Sequence, residues 1–211
     1  IKNDLNYDYI EIEGRKNFNS FNYNIPGDIS SCAFFLVLTI LSKKSEIVIK
    51  NVNINDSRAG IIKILNKMNS KINFKNKKKY KGELIADVVA KSSDNLIGIN
   101  CPKKLNSSAI DEFLVIFLVA AKAKGVSYFK DLGELNKKES PRLDIAINFL
   151  KMIGIKVTRN KNSIKIYGNP SLNLDGQFAI KNFRKDHRVF MMSTIAALTL
   201  GGIWKIHDKD S

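Results

Sequence analysis

The chain has 211 residues with a mean hydropathy of −0.15, and 44% of them are hydrophobic, enough for one substantial core or for one domain with part of another. A net charge of +15, from 35 basic and 20 acidic residues, suits nucleic acid, an anionic membrane surface or phosphorylated small molecules. Lysine, isoleucine and asparagine are abundant throughout, and the only arginines are Arg15, Arg58, Arg142, Arg159, Arg184 and Arg188, so compositional bias accounts for most of that charge.

Residues 1–26 carry two strand-like runs, 9–12 and 21–25, and end at Pro26-Gly27, which reads as the tail of a preceding domain. The next domain, residues 27–211, is built on a repeat of about 80 residues. Its first copy has an apolar helix over 32–41 and a strand over 47–50. A second helix follows, opened by Arg58 and running to Met68, and then strands over 70–74 and 83–90. The second copy has a helix over 113–121 and a strand over 126–130. Its second helix runs from Arg142 to Met152, and strands follow over 155–158 and 163–167. A third copy begins with a helix over 191–200 and a strand over 203–206. One more strand ahead of each copy would make the unit βαβαββ, an α/β architecture. The apolar runs 33–41 and 113–121 are too short to cross a bilayer. Cys32 and Cys101 form no disulfide framework and, with two histidines, show no zinc spacing, which fits a reducing cytoplasm. No signal peptide is visible, and a chain running from Ile1 to Ser211 reads as a piece of a longer protein.

The charges that helix stability does not explain lie in Lys138-Glu139-Ser140-Pro141-Arg142. Ser140 is placed to be an N-cap and Pro141 the first helical residue, so Arg142 falls in the first turn, where the helix dipole disfavours a cation. Lys138 and Arg142 at a helix start suit an anion held partly by free backbone N–H groups, and a solvated lysine-rich loop is the plain alternative. Each buried helix also begins at an acid: Asp28, Asp111 and Asp186. Asp28 reads as an ordinary cap. Asp111 opens the most apolar helix, where a carboxylate can be tuned for proton transfer. Arg188 repeats the placement of Arg142, with a salt bridge to Asp186 as its structural reading, and His187 reads as a structural histidine. If the repeat brings its helix starts to one face, Asp111, Lys138, Glu139, Arg142 and Arg188 share a site for a small polyanion carrying phosphate and carboxylate. No Walker loop, dinucleotide fingerprint or nucleophile elbow is present.

Gly27-Asp28-Ile29-Ser30-Ser31, Asp111, Lys138-Glu139-Ser140-Pro141-Arg142 and Asp186-His187-Arg188, in this order, resemble the 5-enolpyruvylshikimate-3-phosphate synthase family over essentially the whole chain. The resemblance implies two domains, each of three βαβαββ units about a pseudo-threefold axis in an inside-out barrel, with the active site in the cleft between them. It implies transfer of the enolpyruvyl group of phosphoenolpyruvate to the 5-hydroxyl of shikimate 3-phosphate, with no cofactor and no metal, in a cytoplasmic monomer. Asp111 would accept the 5-hydroxyl proton and Lys138 would contact shikimate 3-phosphate, with Glu134 lining the same subsite. Glu139 would handle the proton on the methylene carbon. Arg142 and Arg188 would hold phosphoenolpyruvate, with Asp186 and His187 in support. The amino-terminal Lys and Arg, the Ser-Ser-Gln segment and a last basic residue of the family would lie outside this chain. Three positions depart from the pattern: Pro141 replaces Asp or Asn, Asn136 a basic residue, and Lys185 a Gly or Asn. At Lys185, a positive φ would strain a lysine as it would not a glycine. Two rivals rank lower. The UDP-N-acetylglucosamine enolpyruvyl transferase lacks the Lys-Glu-Ser-x-Arg and Asp-His-Arg pairing, and a basic nucleic-acid-binding domain lacks a basic stripe interleaved with aromatics.

Overall fold

The structure, a computed structural model, describes residues 2–4, 7–9, 11–14, 17, 19–181 and 185–207. A short antiparallel hairpin, β1 (Lys2–Asp4) and β2 (Tyr7–Tyr9), comes first. The first full unit contains α1 (Ile29–Leu41), β3 (Glu46–Asn53), α2 (Gly60–Lys67), β4 (Lys71–Tyr80) and β5 (Glu83–Lys91). The second contains α3 (Phe113–Lys122), β6 (Gly125–Phe129), α4 (Arg142–Met152), β7 (Val157–Asn160) and β8 (Ser163–Gly168). The third supplies β9 (Leu174–Ile180), α5 (His187–Leu200) and β10 (Gly201–Ile206).

The two full units share one topology. Their sheets run β3-β5-β4 and β6-β8-β7, with the last strand inserted antiparallel between the two that precede it. The leading strand of the repeat is present in all three units, in different lengths. It is a single parallel bridge, Gly27 with Val52, in the first. In the second it is a pair of bridges, Ile97 with Lys124 and Asn100 with Tyr128. In the third it is the whole of β9, parallel to β10. Strand β9 leaves no alternating signature in the sequence, because Asp175 and Gly176 (φ 115°) interrupt its apolar pattern.

The helices α1, α3 and α5 touch one another pairwise and form the centre of the molecule. Every residue from Phe113 to Ala121 is buried, so α3 is apolar on all faces and needs a complete surround of protein rather than one covered side. α1 owes its start to Asp28, whose carboxylate accepts from the Ser31 N–H at 2.8 Å. Cys32 and Cys101 are free and buried in this core, and burial pushes their thiols up to about 12 and about 11.

Two expectations fail here. Arg58 does not open α2: the Asn55 carbonyl accepts from both the Arg58 and Ala59 N–H groups, closing a turn that delays the helix to Gly60. Residues 21–25 form no strand, because no sheet edge receives them, and Phe21 and Ile25 stay exposed. This segment docks instead on the β4–β5 turn, where the Lys81 ammonium lies 5.6 to 5.9 Å from the rings of Phe21, Tyr23 and Tyr80. Of the run 9–12, Tyr9 ends β2, Ile10 lies outside the described residues, and Glu11 and Ile12 are irregular. Strand β4 sets lysines among Phe74 and Tyr80, so the expectation of no basic stripe interleaved with aromatics fails at this strand. It is an edge strand, where lysines discourage pairing with another chain. Among the described residues no helix is long and apolar enough to cross a membrane.

Candidate active site

The starts of α1, α3, α4 and α5 meet on one side of the helical core, linked by side-chain contacts among Ser30, Asp111, Glu112, Arg142, Asp186 and Arg188. Their charged residues form one connected cluster. At its centre is Arg142, the first residue of α4 and only 1% exposed. Its Nε donates to Asp186 Oδ2 at 2.8 Å and its Nη2 to Asp186 Oδ1 at 3.2 Å, a bidentate pairing that lysine could not make. Nη1 donates to Asp111 Oδ1 at 3.2 Å, and Nη2 also meets Glu139 Oε2.

Ser140 is not the N-cap of α4. Its hydroxyl donates to Asp186 Oδ2 at 2.7 Å, and Pro141 occupies the cap position with no side-chain bond to the helix. The cap comes from further back: Asn136 Oδ1 accepts from the Leu143 and Asp144 N–H groups at 3.0 and 3.3 Å. Asn136 thus does the work expected of Ser140, which frees that hydroxyl to hold Asp186. No local sequence signal marks a cap six residues ahead of its helix.

Asp111 lies two residues before α3 rather than at its cap, which is Glu112. Lys138 Nζ stands 3.2 Å from Asp111 Oδ1, and Arg188 Nη2 stands 3.9 Å from Oδ2. Burial pushes the Asp111 carboxyl up, but the charges of Arg188, Lys138 and Arg142 outweigh it and hold the group below its ordinary value of 3.8. Asp186 follows the same logic. Its burial is outweighed by Arg142, Ser140 and the Arg188 N–H, so its carboxyl is also lowered. Asp186 caps α5, accepting from the Arg188 N–H at 3.0 Å.

The Arg188 guanidinium is not paired with Asp186 as the sequence suggested. Arg142 already saturates that carboxylate, so Arg188 turns to α3, donating to the Asp111 carbonyl at 3.1 Å. His187 is exposed at the first position of α5. Glu134 pairs with Lys137 at 2.8 Å and lines, with Lys138, Lys103 and Asn106, an open cleft of about 460 Å³ beside the cluster. Lys185, next to Asp186, has φ of 57°.

One buried acid lies outside the set that the sequence singles out. Glu112 is 3% exposed and accepts from Ser30 Oγ at 2.5 Å, and Arg58 Nη2 donates to that same oxygen at 3.1 Å. Burial raises the Glu112 carboxyl, against the hydroxyl of Ser30 and the charges of Arg188 and Arg58, while Asp111 adds to the rise. Its adjacency to Asp111 was the available signal; an acid before an apolar run reads as one cap, not two functions. Among the described residues no group of three or more His, Cys, Asp or Glu side chains is placed to hold a metal.

A family model described as EPSP synthase (3-phosphoshikimate 1-carboxyvinyltransferase) matches residues 1–211. A 3-phosphoshikimate 1-carboxyvinyltransferase of Ruthia magnifica subsp. Calyptogena magnifica is 37% identical over 214 residues, covering 100% of this chain and 47% of the relative. One from Bacillus pumilus is 34% identical, covering 100% of this chain and 48% of the relative. The chain therefore spans about half the length of the curated relatives it matches. An EPSP synthase structure from Acinetobacter baumannii superposes with a TM-score of 0.77 at 34% identity, covering 87% of this chain and 42% of that one. The enolpyruvyl transferase NikO from Streptomyces tendae, at 14% identity and a TM-score of 0.62, covers 85% of this chain and 38% of its own and shares the fold.

Proposed function

The chain belongs to the EPSP synthase family, and from that premise we propose that the protein containing it transfers the enolpyruvyl group of phosphoenolpyruvate to the 5-hydroxyl of shikimate 3-phosphate, releasing phosphate. The observation that carries this reading is Asp111, an ionised carboxylate ringed by Lys138, Arg142 and Arg188 where four helix starts converge. Such a ring suits two anionic substrates and one proton acceptor between them.

In this reading the 5-hydroxyl oxygen attacks the central enol carbon of phosphoenolpyruvate while its proton passes to Asp111. Glu139 protonates the methylene carbon, giving a tetrahedral intermediate. It then takes a proton back as the C–O bond to phosphate breaks and the enol double bond re-forms. Glu139 is the exposed member of the cluster, 54% accessible, so it is the one free to move between substrate and Arg142. Arg142 has its donors committed to Asp186, Asp111 and Glu139, and a substrate carboxylate takes the place that Glu139 vacates. Arg188 completes the phosphoenolpyruvate subsite. Lys138 and Glu134 line the cleft for shikimate 3-phosphate, and Asp186 and His187 act in support. A carboxylate held below its usual range is a weak base. Anionic substrates partly neutralise the cations around Asp111, and its basicity rises when the proton must be taken.

The reading invokes proton transfer, addition and elimination, with no cofactor. It assigns residues 1–26 to the end of one domain and 27–211 to most of another, in a cytoplasmic, monomeric enzyme. The test uses the full-length protein. Phosphate is released from phosphoenolpyruvate with shikimate 3-phosphate present and not without it. Release driven by UDP-N-acetylglucosamine sinks the assignment, and Asp111→Ala turning over at a near-normal rate removes Asp111 as the base.

A further inference from the structure

The proposed chemistry leaves Glu112 unused, although it is a carboxylate buried one residue from the proposed base. Four charged or hydrogen-bonding groups face it. Ser30 of α1 donates to it, and Arg58, ahead of α2, reaches it through that hydroxyl. Arg188 of α5 places Nη1 3.8 Å from Glu112 Oε1, and Asp111 adjoins it in the chain. The same guanidinium donates to the Asp111 carbonyl at 3.1 Å and lies 3.9 Å from the Asp111 carboxylate. Arg188 is therefore shared between two adjacent acids, one fixed in the core by Ser30 and one turned to the site.

We propose that Glu112 is a positioning residue that, anchored through Ser30 to Arg58, competes with Asp111 for the Arg188 guanidinium and thereby sets both Arg188's aim and Asp111's basicity. The inference rests on the functional reading above for its kinetic consequences and on geometry alone for the coupling. Removing the Glu112 charge hands Arg188 to Asp111. The Asp111 carboxylate is then stabilised further, its proton affinity falls, and Arg188 is drawn away from an incoming carboxylate. The relay Arg58–Ser30–Glu112–Arg188–Asp111 also crosses all three repeats, so a change in the first unit is felt in the third.

The experiment compares Glu112→Gln, Ser30→Ala and Glu112→Asp with wild type in the full-length enzyme. Glu112→Gln keeps size and a hydrogen-bond acceptor for Ser30 while removing charge. It raises the phosphoenolpyruvate KM about tenfold and moves the acid limb of kcat/KM down by about half a pH unit or more. Ser30→Ala moves both in the same direction by less, and Glu112→Asp restores part of the loss. If Glu112→Gln fails to fold, the Ser30→Ala and Glu112→Asp pair decides. Folded variants with unchanged KM and pH profile overturn the proposal, as does a fall in kcat alone. If the wild type releases no phosphate with shikimate 3-phosphate, the functional reading is lost. The coupling is then judged by carbon-13 NMR titration of the Asp111 side chain, assigned with Asp111→Asn. The midpoint falls in Glu112→Gln; an unmoved midpoint refutes the coupling.

Discussion

The first and second repeats carry the same charge pair and treat it in opposite ways. In the first, Arg58 stands before α2 and lies 3.7 Å from Asp28 at the start of α1, with both side chains 53% exposed. In the second, Arg142 opens α4 and meets Asp111 before α3 at 3.2 Å, with the guanidinium 1% and the carboxylate 21% exposed. The repeat lays down an acid and a guanidinium at or just ahead of corresponding helix starts. Burial then separates the two pairs, and the buried one lies in the proposed site. What separates them is Asp186 from the third unit, fully buried, which pairs directly with Arg142, whereas Arg58 reaches the buried acid Glu112 of the next unit only through the Ser30 hydroxyl.

The largest effect that can break this comparison comes from removing each arginine in turn. Arg142→Ala leaves Asp186 buried without its counter-charge, which costs about 3–5 kcal/mol. Arg58→Ala breaks a half-exposed pair, worth about 1 kcal/mol or less. Urea unfolding of the full-length variants measures both. Equal losses would mean that the two pairs are equivalent and that burial has not distinguished them.

The acids give the next contrast. Asp28→Ala removes the α1 cap and lowers stability by about 1 kcal/mol, because the Ser31 N–H loses its acceptor. Asp111→Asn caps nothing, and on its proposed role as proton acceptor its cost falls on turnover, about 10²–10⁴-fold in kcat. Steady-state phosphate release and unfolding, measured on both variants, separate a cap from a base. A stability loss at Asp111→Asn without a rate loss would reverse their roles.

Across the second and third units the two buried acids differ in sign. Asp186 is lowered by its partners, so its contribution is present above the ordinary carboxylate range and is lost as pH falls through its folded value. Glu112 is raised by burial above 4.5, so its contribution is present below that value and is lost as pH rises through its folded one. Glu112→Gln therefore gains stability at neutral pH and nothing at about pH 4, as the urea midpoint at the two pH values will show. A loss at neutral pH would mean that the Arg188 contact outweighs burial. With the expected fall in catalytic efficiency, the gain would mark Glu112 as a group kept for function at the expense of stability.

These differences explain what the sequence could carry. The helices α1 and α3 are legible because long apolar runs allow only a buried helix, and the repeat places Arg142 and Arg188 at helix starts. The partners were not legible. Whether Arg188 turns to Asp186 or to Asp111 depends on Arg142 having taken Asp186 first, a competition between two units that no local pattern records. Asn136 capping α4 is likewise a tertiary accident of the short 3-10 turn Gly133–Lys137, which brings the amide back over the helix start. Strand β9 shows the reverse case: pairing with β10 imposes a strand on a segment whose own pattern is broken.

The smallest predicted effect concerns the residue before each capping aspartate. Gly27 precedes Asp28, and Lys185 precedes Asp186. The glycine does not use its freedom: its φ is not positive, and an added Cβ would meet only ordinary contacts at 3.7 Å from Asn51 O and Val52. The lysine, with φ of 57°, occupies the left-handed region that glycine enters without strain. The conformational need and the permissive residue are thus placed at opposite ends of the repeat. Lys185→Gly relieves roughly 1 kcal/mol of backbone strain, offset in part by the greater entropy of a glycine when unfolded, for a net gain of about 0.5 kcal/mol. Gly27→Ala stabilises by about 0.4–1 kcal/mol through the unfolded chain alone, since its N–H and carbonyl bonds to Asn51 and Asn53 are kept. Chemical denaturation resolves changes of this size when both variants are measured against wild type in one series. A loss at Lys185→Gly would show that the lysine side chain holds the α5 start by its own contacts, and that its strain is compensated where it stands.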